Sequence, residues 1–391
     1  MKKLLFVVTR DFIQDEGFGR PKIINSHYET FKLFGKVTLI ILKPQKFFGL
    51  TLFFKFYINL LVSFLKLRSI PLQALLFCNQ TNFKKLNELD INSYDIVYTD
   101  GLRSFIPLLL LGKKDFNNSV CDFDDLMSRR YKEHLRINKV TPLGYLNENF
   151  SGFLKKLISF QFINNLIKYY ESYSCKRFEI HISNLVQKVV LVSSHEANLL
   201  KMYSKNISRI IAIPPLFNIN RKVVRGESFK RFVFVGSDSL VQNAVTIQYL
   251  CELWDSQKIP FELHFYGRIR HNLKNKSIFL HGYIENLGEV YTPGSILLCP
   301  SFVGGGVKTK ILEALSYGII PLGNQQSFEG ISINTQSFQL SNDLRELKDP
   351  SWLDSNYERL SVNVEQAQNE LEETNGIEPY KAKWEQILNN Y

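Results

Sequence analysis

The sequence predicts an α/β protein built from two Rossmann-like domains, and three observations predict it. At 391 residues the chain exceeds the size, about 250–300 residues, at which a single hydrophobic core stops growing. Short apolar runs rich in β-formers alternate with longer amphipathic segments, the pattern of parallel strands joined by crossover helices. Near the middle, Ile213-Pro214-Pro215-Leu216-Phe217-Asn218 interrupts the pattern, because paired prolines forbid helix, and a polar, basic segment follows up to Lys230. With 45% hydrophobic and 22% charged residues, the composition is that of a packed globular protein.

The first element is the run Leu4-Leu5-Phe6-Val7-Val8-Thr9, which ends at Arg10-Asp11. About six apolar residues are too few for a signal-peptide core, so the run reads as a buried strand. The remaining strand candidates of the first half are residues 37–42, 96–99, 119–121 and 189–193. Those of the second half are 232–235, 262–266, 277–280, 296–299 and 319–322. The expected organisation is an N-terminal domain over 1–215, a C-terminal domain over 225–370 and a terminal helix over 371–391. Trp384, Ile387 and Leu388 share one face of that helix and turn it back toward the first domain.

A formal net charge of +11 implies an anionic partner and leaves nucleic acid, acidic lipid and phosphorylated small molecules open. The five cysteines, Cys78, Cys121, Cys175, Cys251 and Cys299, lie far apart and form no C-x-x-C pair, so they read as reduced thiols rather than a disulfide framework or zinc site. Residues 47–67 are the strongest membrane candidate, but Lys55 and Lys66 interrupt them, and no stretch reaches about 18 uninterrupted apolar residues. Residues 150–173 read as a basic amphipathic helix with Lys155, Lys156 and Lys168. It suits either an anionic bilayer or, as the favoured reading, domain packing with a solvated basic face.

The most informative stretch runs from Pro300 to Gly318. A strand leads into Gly304-Gly305-Gly306, and a helix is expected to start near Val307. Glycines without Cβ atoms let a diphosphate approach the backbone, while free N–H groups and the positive helix end supply counter-charge. Lys308 and Lys310 add mobile cations. Glu313, three residues after Lys310 on the same helix face, can accept hydrogen bonds from the two vicinal hydroxyls of a ribose. The competing reading is a glycine turn before an ordinary helix.

Spacing and context favour the first reading. The pattern P-x-x-x-G-x-G-x-x-x-K-x-x-E-A-x-x-x-G resembles the donor motif of the large retaining GT-B glycosyltransferase family often called family 4. Four other pieces follow the family's order: Arg231-Phe232-Val233-Phe234-Val235-Gly236 with Asn243, Leu263-His264-Phe265-Tyr266-Gly267, Phe279-Leu280-His281-Gly282-Tyr283-Ile284, and Phe328-Glu329-Gly330-Ile331. Val190-Leu191-Val192-Ser193-Ser194 with Glu196 extends the likeness into the first domain. The resemblance implies a GT-B fold, with Lys310 on the donor diphosphate and Glu313 on the ribose. It further implies close approach of phosphates or sugar at Gly236, Gly305 and Gly306, and donor contacts from Lys308, Tyr283, Ile284 and Glu329. Two features depart from the family. The first of its two glutamates falls at or near Gly305, and Gly236 is followed by Ser237-Asp238-Ser239-Leu240 instead of the usual Arg and Lys.

In the first domain, Gly17-Phe18-Gly19-Arg20 follows the first strand, where the family resemblance implies an acceptor-side loop; a plain surface turn is the alternative. Asp122, Asp124 and Asp125 cluster at a predicted strand end, where α/β proteins put ligands. They are the candidate catalytic carboxylates, as base or acceptor ligand. A metal at Asp122-x-Asp124 is disfavoured because the donor diphosphate already has lysines and a helix terminus, and a helix cap is the alternative for Asp125. No histidine pair has metal spacing, and His195 lacks a nucleophile elbow.

The expected function is transfer of a sugar from a nucleoside diphosphate sugar to a hydroxyl, by a retaining hexosyl- or related glycosyltransferase. The expected acceptor is a glycan or lipid-linked glycan in surface-polysaccharide synthesis. No metal or other cofactor is expected. The location read from the sequence is cytoplasmic, with an anionic membrane face as an open peripheral contact. Two other readings are an idle GT-B fold that binds a nucleotide sugar or a partner, and a basic nucleic-acid-binding protein. The latter has no recognisable nucleic-acid-binding motif, so no nucleic-acid partner is expected.

Overall fold

A computed structural model describes residues 2–13, 19–45, 69–112, 115–137, 140–141, 143–149, 152–224, 228–257, 259–270 and 275–389. The candidate Gly17 and the apolar segment 47–67 lie outside the described residues. The chain divides into two compact units, Met1–Ile213 with Lys381–Tyr391, and Pro214–Tyr380.

The first unit is a six-stranded parallel sheet of β1 (Lys2–Val8), β2 (Gly35–Ile41), β3 (Ile96–Asp100), β4 (Ser119–Asp124), β5 (Lys188–Leu191) and β6 (Ile210–Ala212), in the order β2-β1-β3-β4-β5-β6. Leu4 to Val8 are fully buried, which explains why β1 reads as a continuous apolar run rather than an alternating one. The terminal helix contributes to this core. Trp384 is fully buried, with its ring edge-on to Phe31 at 5.0 Å and to His27 at 4.8 Å.

One helix here, Met127–Arg136, begins without a local side-chain cap. Its open N–H groups are met from elsewhere: Ser128 N–H donates to Glu179 Oε1 at 3.0 Å and Leu126 N–H to Glu196 Oε2 at 3.3 Å. Asp125 is therefore not the cap; its carboxylate takes Arg130 Nε at 2.9 Å instead. Residues 152–185 form two helices, Gly152–Ile158 and Gln161–Leu185. Lys168 is buried, with Nζ 3.3 Å from His134 O, so the expectation that it belongs to a solvated basic face is corrected.

The second unit is also a six-stranded parallel sheet: β7 (Arg231–Val235), β8 (Leu263–Tyr266), β9 (Ile278–Leu280), β10 (Ser295–Leu298), β11 (Ile320–Asn324) and β12 (Gln339–Leu340). Its order, β12-β11-β10-β7-β8-β9, is that of the doubly wound dinucleotide-binding fold, with a switch point between β7 and β10. The polar stretch after Pro214 is tied to this unit, since Asn220 and Arg221 N–H both donate to Ser316 O, at 2.8 and 3.0 Å. Gln368 holds Arg221 O and Leu315 O, each at 2.8 Å.

Candidate functional site

In the second unit the loops after β7, β8 and β10 gather at the carboxyl ends of neighbouring strands, around the switch point. This is where an open α/β sheet has room for a ligand. The β10 loop is pinned at its base by a reciprocal pair: Ser301 N–H donates to Asn324 Oδ1 at 3.0 Å, and Asn324 Nδ2 donates to Ser301 O at 2.8 Å. Beyond that anchor Gly305 and Gly306 take φ of 114° and 63°, a conformation that L side chains resist.

The helix after this loop is Thr309–Ser316, starting two residues later than the sequence predicts, so Lys308 precedes its first turn. Lys308 Nζ donates to Gly305 O at 2.9 Å and so spans the glycine turn. Lys310 is not a mobile cation. Its Nζ donates to Asn243 Oδ1 at 2.8 Å and lies 4.3 Å from the centre of the Phe234 ring. Burial pulls its pKa below the ordinary lysine value, against the pull of Cys299 and Glu313. A charge held by neutral partners in a desolvated place gains strongly from an arriving anion. Glu313 is buried in the same helix, one turn on.

Asn243 also donates through Nδ2 to Ser237 O at 3.0 Å, which fixes the turn after β7. Two close approaches explain that turn. A Cβ on Gly236 would meet Asn243 Nδ2 at 2.6 Å, and a Cβ on Gly267 would meet Gly236 O at 2.1 Å. The backbones after β7 and β8 therefore touch. After β9, Tyr283 is exposed, with the Arg268 guanidinium 5.5 Å above its ring, while Ile284 packs against the core. Glu329 follows the short helical turn Gln325–Phe328 after β11.

The first unit holds a second constellation. Arg20 opens the helix Arg20–Phe34, and Gly19 before it has φ 80°. Arg20 Nε donates to Asp100 Oδ1 at 3.1 Å, Nη2 to Asp122 Oδ2 at 2.8 Å and Nη1 to Asp124 Oδ1 at 3.2 Å. These carboxylates end β3 and β4, and Arg20 follows β1, so the cluster sits by the β1/β3 switch point of this sheet. Asp122 also receives Tyr98 OH at 2.8 Å, and His27 Nε2 lies 3.0 Å from it. Burial opposes ionisation of Asp122, but Arg20 and His27 hold it well below the usual carboxylate range. Asp124 goes the other way, pushed up to about 6 by burial and by Asp125 and Asp122 in spite of Arg20.

Asp124 also has φ 63°, rare for a residue with a Cβ, and its side chain keeps 26% of its exposure where that of Asp122 keeps none. The three sequence-derived carboxylates thus occupy different settings: Asp122 is an internal counter-ion, Asp125 is paired with Arg130, and Asp124 alone of the three reaches the surface. Arg20, grouped by sequence with an acceptor loop, is the hub of this cluster. Asp100, Tyr98, His27 and Asn324 carry no motif; their signal is position, at strand ends or on the first helix, and it appears only once the sheet order is known.

No protein-family model matches the chain, and no curated protein matches it in sequence. Solved structures do. The chain is similar along its whole length to HepE of Anabaena in complex with UDP-glucose, at 11% identity and a TM-score of 0.62, each chain covered completely. It matches WaaG, a glycosyltransferase involved in lipopolysaccharide biosynthesis, at 12% identity and a TM-score of 0.54, over 99% of this chain and all of the other. The fold is GT-B. A third match, to TarM, has 14% identity and a TM-score of 0.53 over 81% of this chain, which spans 58% of TarM.

Proposed function

We propose that this chain is a retaining glycosyltransferase of the family 4 type, which moves a hexosyl or related sugar from a nucleoside diphosphate sugar to a hydroxyl. The observation that carries the proposal is Lys310: a partly desolvated ammonium, held by the amide of Asn243, at the head of the helix that follows three glycines. A donor diphosphate meets there a positive helix end without a side-chain cap and a cation whose present hydrogen-bond acceptor is neutral.

In this reading Lys310 and Lys308 bind the diphosphate, and Gly236, Gly305 and Gly306 give it room. Glu313 accepts from the ribose hydroxyls, the backbone at Tyr283 and Ile284 meets the base, and Glu329 faces the donor. The bond between the anomeric carbon and the β-phosphate oxygen breaks, and the acceptor oxygen bonds to the same carbon on the same face. The acceptor proton passes to the departing phosphate. The cations act where charge develops, on the leaving diphosphate, and that is where stabilisation accelerates the step. Asp124, the carboxylate that reaches the surface, is the acceptor-side residue of this scheme, and no donor-bound metal is needed in it.

The acceptor is a lipid-linked glycan of surface-polysaccharide synthesis, a reading supported by the likeness to WaaG and the excess of positive charge. Glycine near 305, where relatives of this type carry a glutamate, supports a second reading in which the site binds donor without turning it over. Release of nucleoside diphosphate from UDP-, GDP- and other nucleotide sugars in the presence of a glycolipid extract separates the two. The proposal expects release that Lys310→Ala and Glu313→Ala abolish in folded protein. Donor binding without release from any pairing supports the idle reading, and release unchanged in both variants overturns the site assignment.

A further inference from the structure

The helix Gln161–Leu185 carries an apolar stripe turned to solvent. Phe162 is 79% exposed, Leu166 57%, Tyr169 67% and Tyr173 54%. Spaced four, three and four residues apart, they lie within about 60° of one another at roughly 100° per residue. Four large side chains on one helix face are a contiguous patch, unlike the single exposed apolar residues that any surface tolerates.

Charge separates the two faces of this helix. Its carboxylates, Glu171 and Glu179, are both buried, where they accept backbone N–H groups from Leu72 and Ser128. The exposed face therefore has no acidic side chain, and it is bordered by Lys176 and Arg177. Those cations sit at ring level: Lys176 Nζ is 3.8 Å from the ring centre of Tyr203, and the Arg177 guanidinium 5.8 Å from that of Tyr173. Through Tyr203 the patch continues to Met202, 73% exposed, in a segment, residues 201–209, that has Lys201, Lys205 and Arg209 and no carboxylate. On the preceding helix, Gly152–Ile158, Lys155 and Lys156 are exposed.

We infer that this face rests on the surface of an anionic lipid bilayer, with Phe162 and Leu166 in the acyl boundary and the tyrosines and flanking cations at headgroup level. A protein partner of acidic character would match the charge, but the order of the groups fits a bilayer better. Purely apolar side chains occupy the start of the stripe, amphipathic rings follow, and cations border it, the gradation met from acyl chains to headgroups. The contact we infer is interfacial, and no described helix is long and apolar enough to cross a membrane.

Vesicle flotation of the full chain tests this, with phosphatidylcholine alone against one part phosphatidylglycerol to two parts phosphatidylcholine. The expected result is binding to the anionic vesicles only, weakened about tenfold or more by the triple variant Phe162→Ser, Leu166→Ser, Tyr169→Ser. Lys155→Glu, Lys156→Glu, Lys176→Glu weakens it about tenfold too, and added salt weakens the unmodified chain. Nucleoside diphosphate binding, measured in parallel, stays the same in both variants, so this inference and the donor-site proposal fail separately. Unchanged flotation of the serine variant overturns the inference. So does a lowered melting temperature in that variant, which means another part of the chain covers the stripe. A loss of self-association in light scattering assigns the face to a second copy and equally overturns it.

Discussion

Lys310 Nζ lies 2.8 Å from Asn243 Oδ1, which joins the first turn of the helix after the glycine loop to the helix after β7. The same amide holds Ser237 O at 3.0 Å, so one asparagine sets both the cation and the Gly236 turn. Lys310→Ala removes a charge-assisted contact to a bound diphosphate, worth about 2–3 kcal/mol, or roughly 30- to 150-fold in affinity. Asn243→Ala leaves the ammonium but frees its position and loosens the turn; a smaller loss of about tenfold is expected, with a lower melting temperature. Calorimetry and thermal unfolding of the two variants check this order.

Gly267→Ala tests the contact between the loops. At φ 133°, with the added Cβ 2.1 Å from Gly236 O, the backbones must part. A stability loss of about 3 kcal/mol is expected, together with weaker diphosphate binding, because the displaced strand end carries Gly236 with it. Urea unfolding measures the first effect.

Arg20 is ion-paired with three buried or half-buried carboxylates. Arg20→Met leaves Asp122 and Asp100 without their cation, and about 3–5 kcal/mol of destabilisation is expected. Arg20→Lys keeps the charge but cannot reach three acceptors from one fork, so it falls between the two in urea unfolding. A methionine variant as stable as the parent contradicts the assignment of Arg20 as hub.

Glu179 gives a pH prediction of definite sign. Burial raises its pKa from the ordinary 4.5 to about 7, against the hydrogen bonds from Ser128. Between those values the folded chain keeps a proton that the unfolded chain releases. The stability it contributes is full below pH 4.5 and is lost as pH rises through about 7, up to about 3 kcal/mol. In Glu179→Gln the difference in unfolding free energy between pH 5 and pH 7.5 shrinks relative to the parent, as read from urea titrations at the two pH values.

The sequence revealed those parts of the molecule in which local composition and tertiary role agree. In β1 the fully buried residues Leu4 to Val8 read as an unbroken apolar run. The edge strands β6 and β12, three and two residues long, are too short to stand out and escape the reading. The glycine loop was legible because its backbone demands glycine and its helix follows at once. That helix starts two residues later than its composition suggests, since Lys308 supplies no side-chain cap to mark the start. Arg20 and Asp122 were visible singly, as a basic residue after a glycine loop and an acid at a strand end. Their pairing, and the part of Asp100, His27 and Tyr98, depends on which strands lie side by side, a long-range fact that no window of sequence contains.

Calorimetric titration of the purified chain with UDP, GDP and CMP and their sugar conjugates, with and without EDTA, tests the central claim most directly. The account predicts saturable binding of one nucleoside diphosphate, unaffected by EDTA and weakened about 30-fold or more in Lys310→Ala. Absence of binding to any of them contradicts a donor site at the β7/β10 switch point, and binding that disappears with EDTA contradicts a diphosphate held by Lys308, Lys310 and the helix terminus alone.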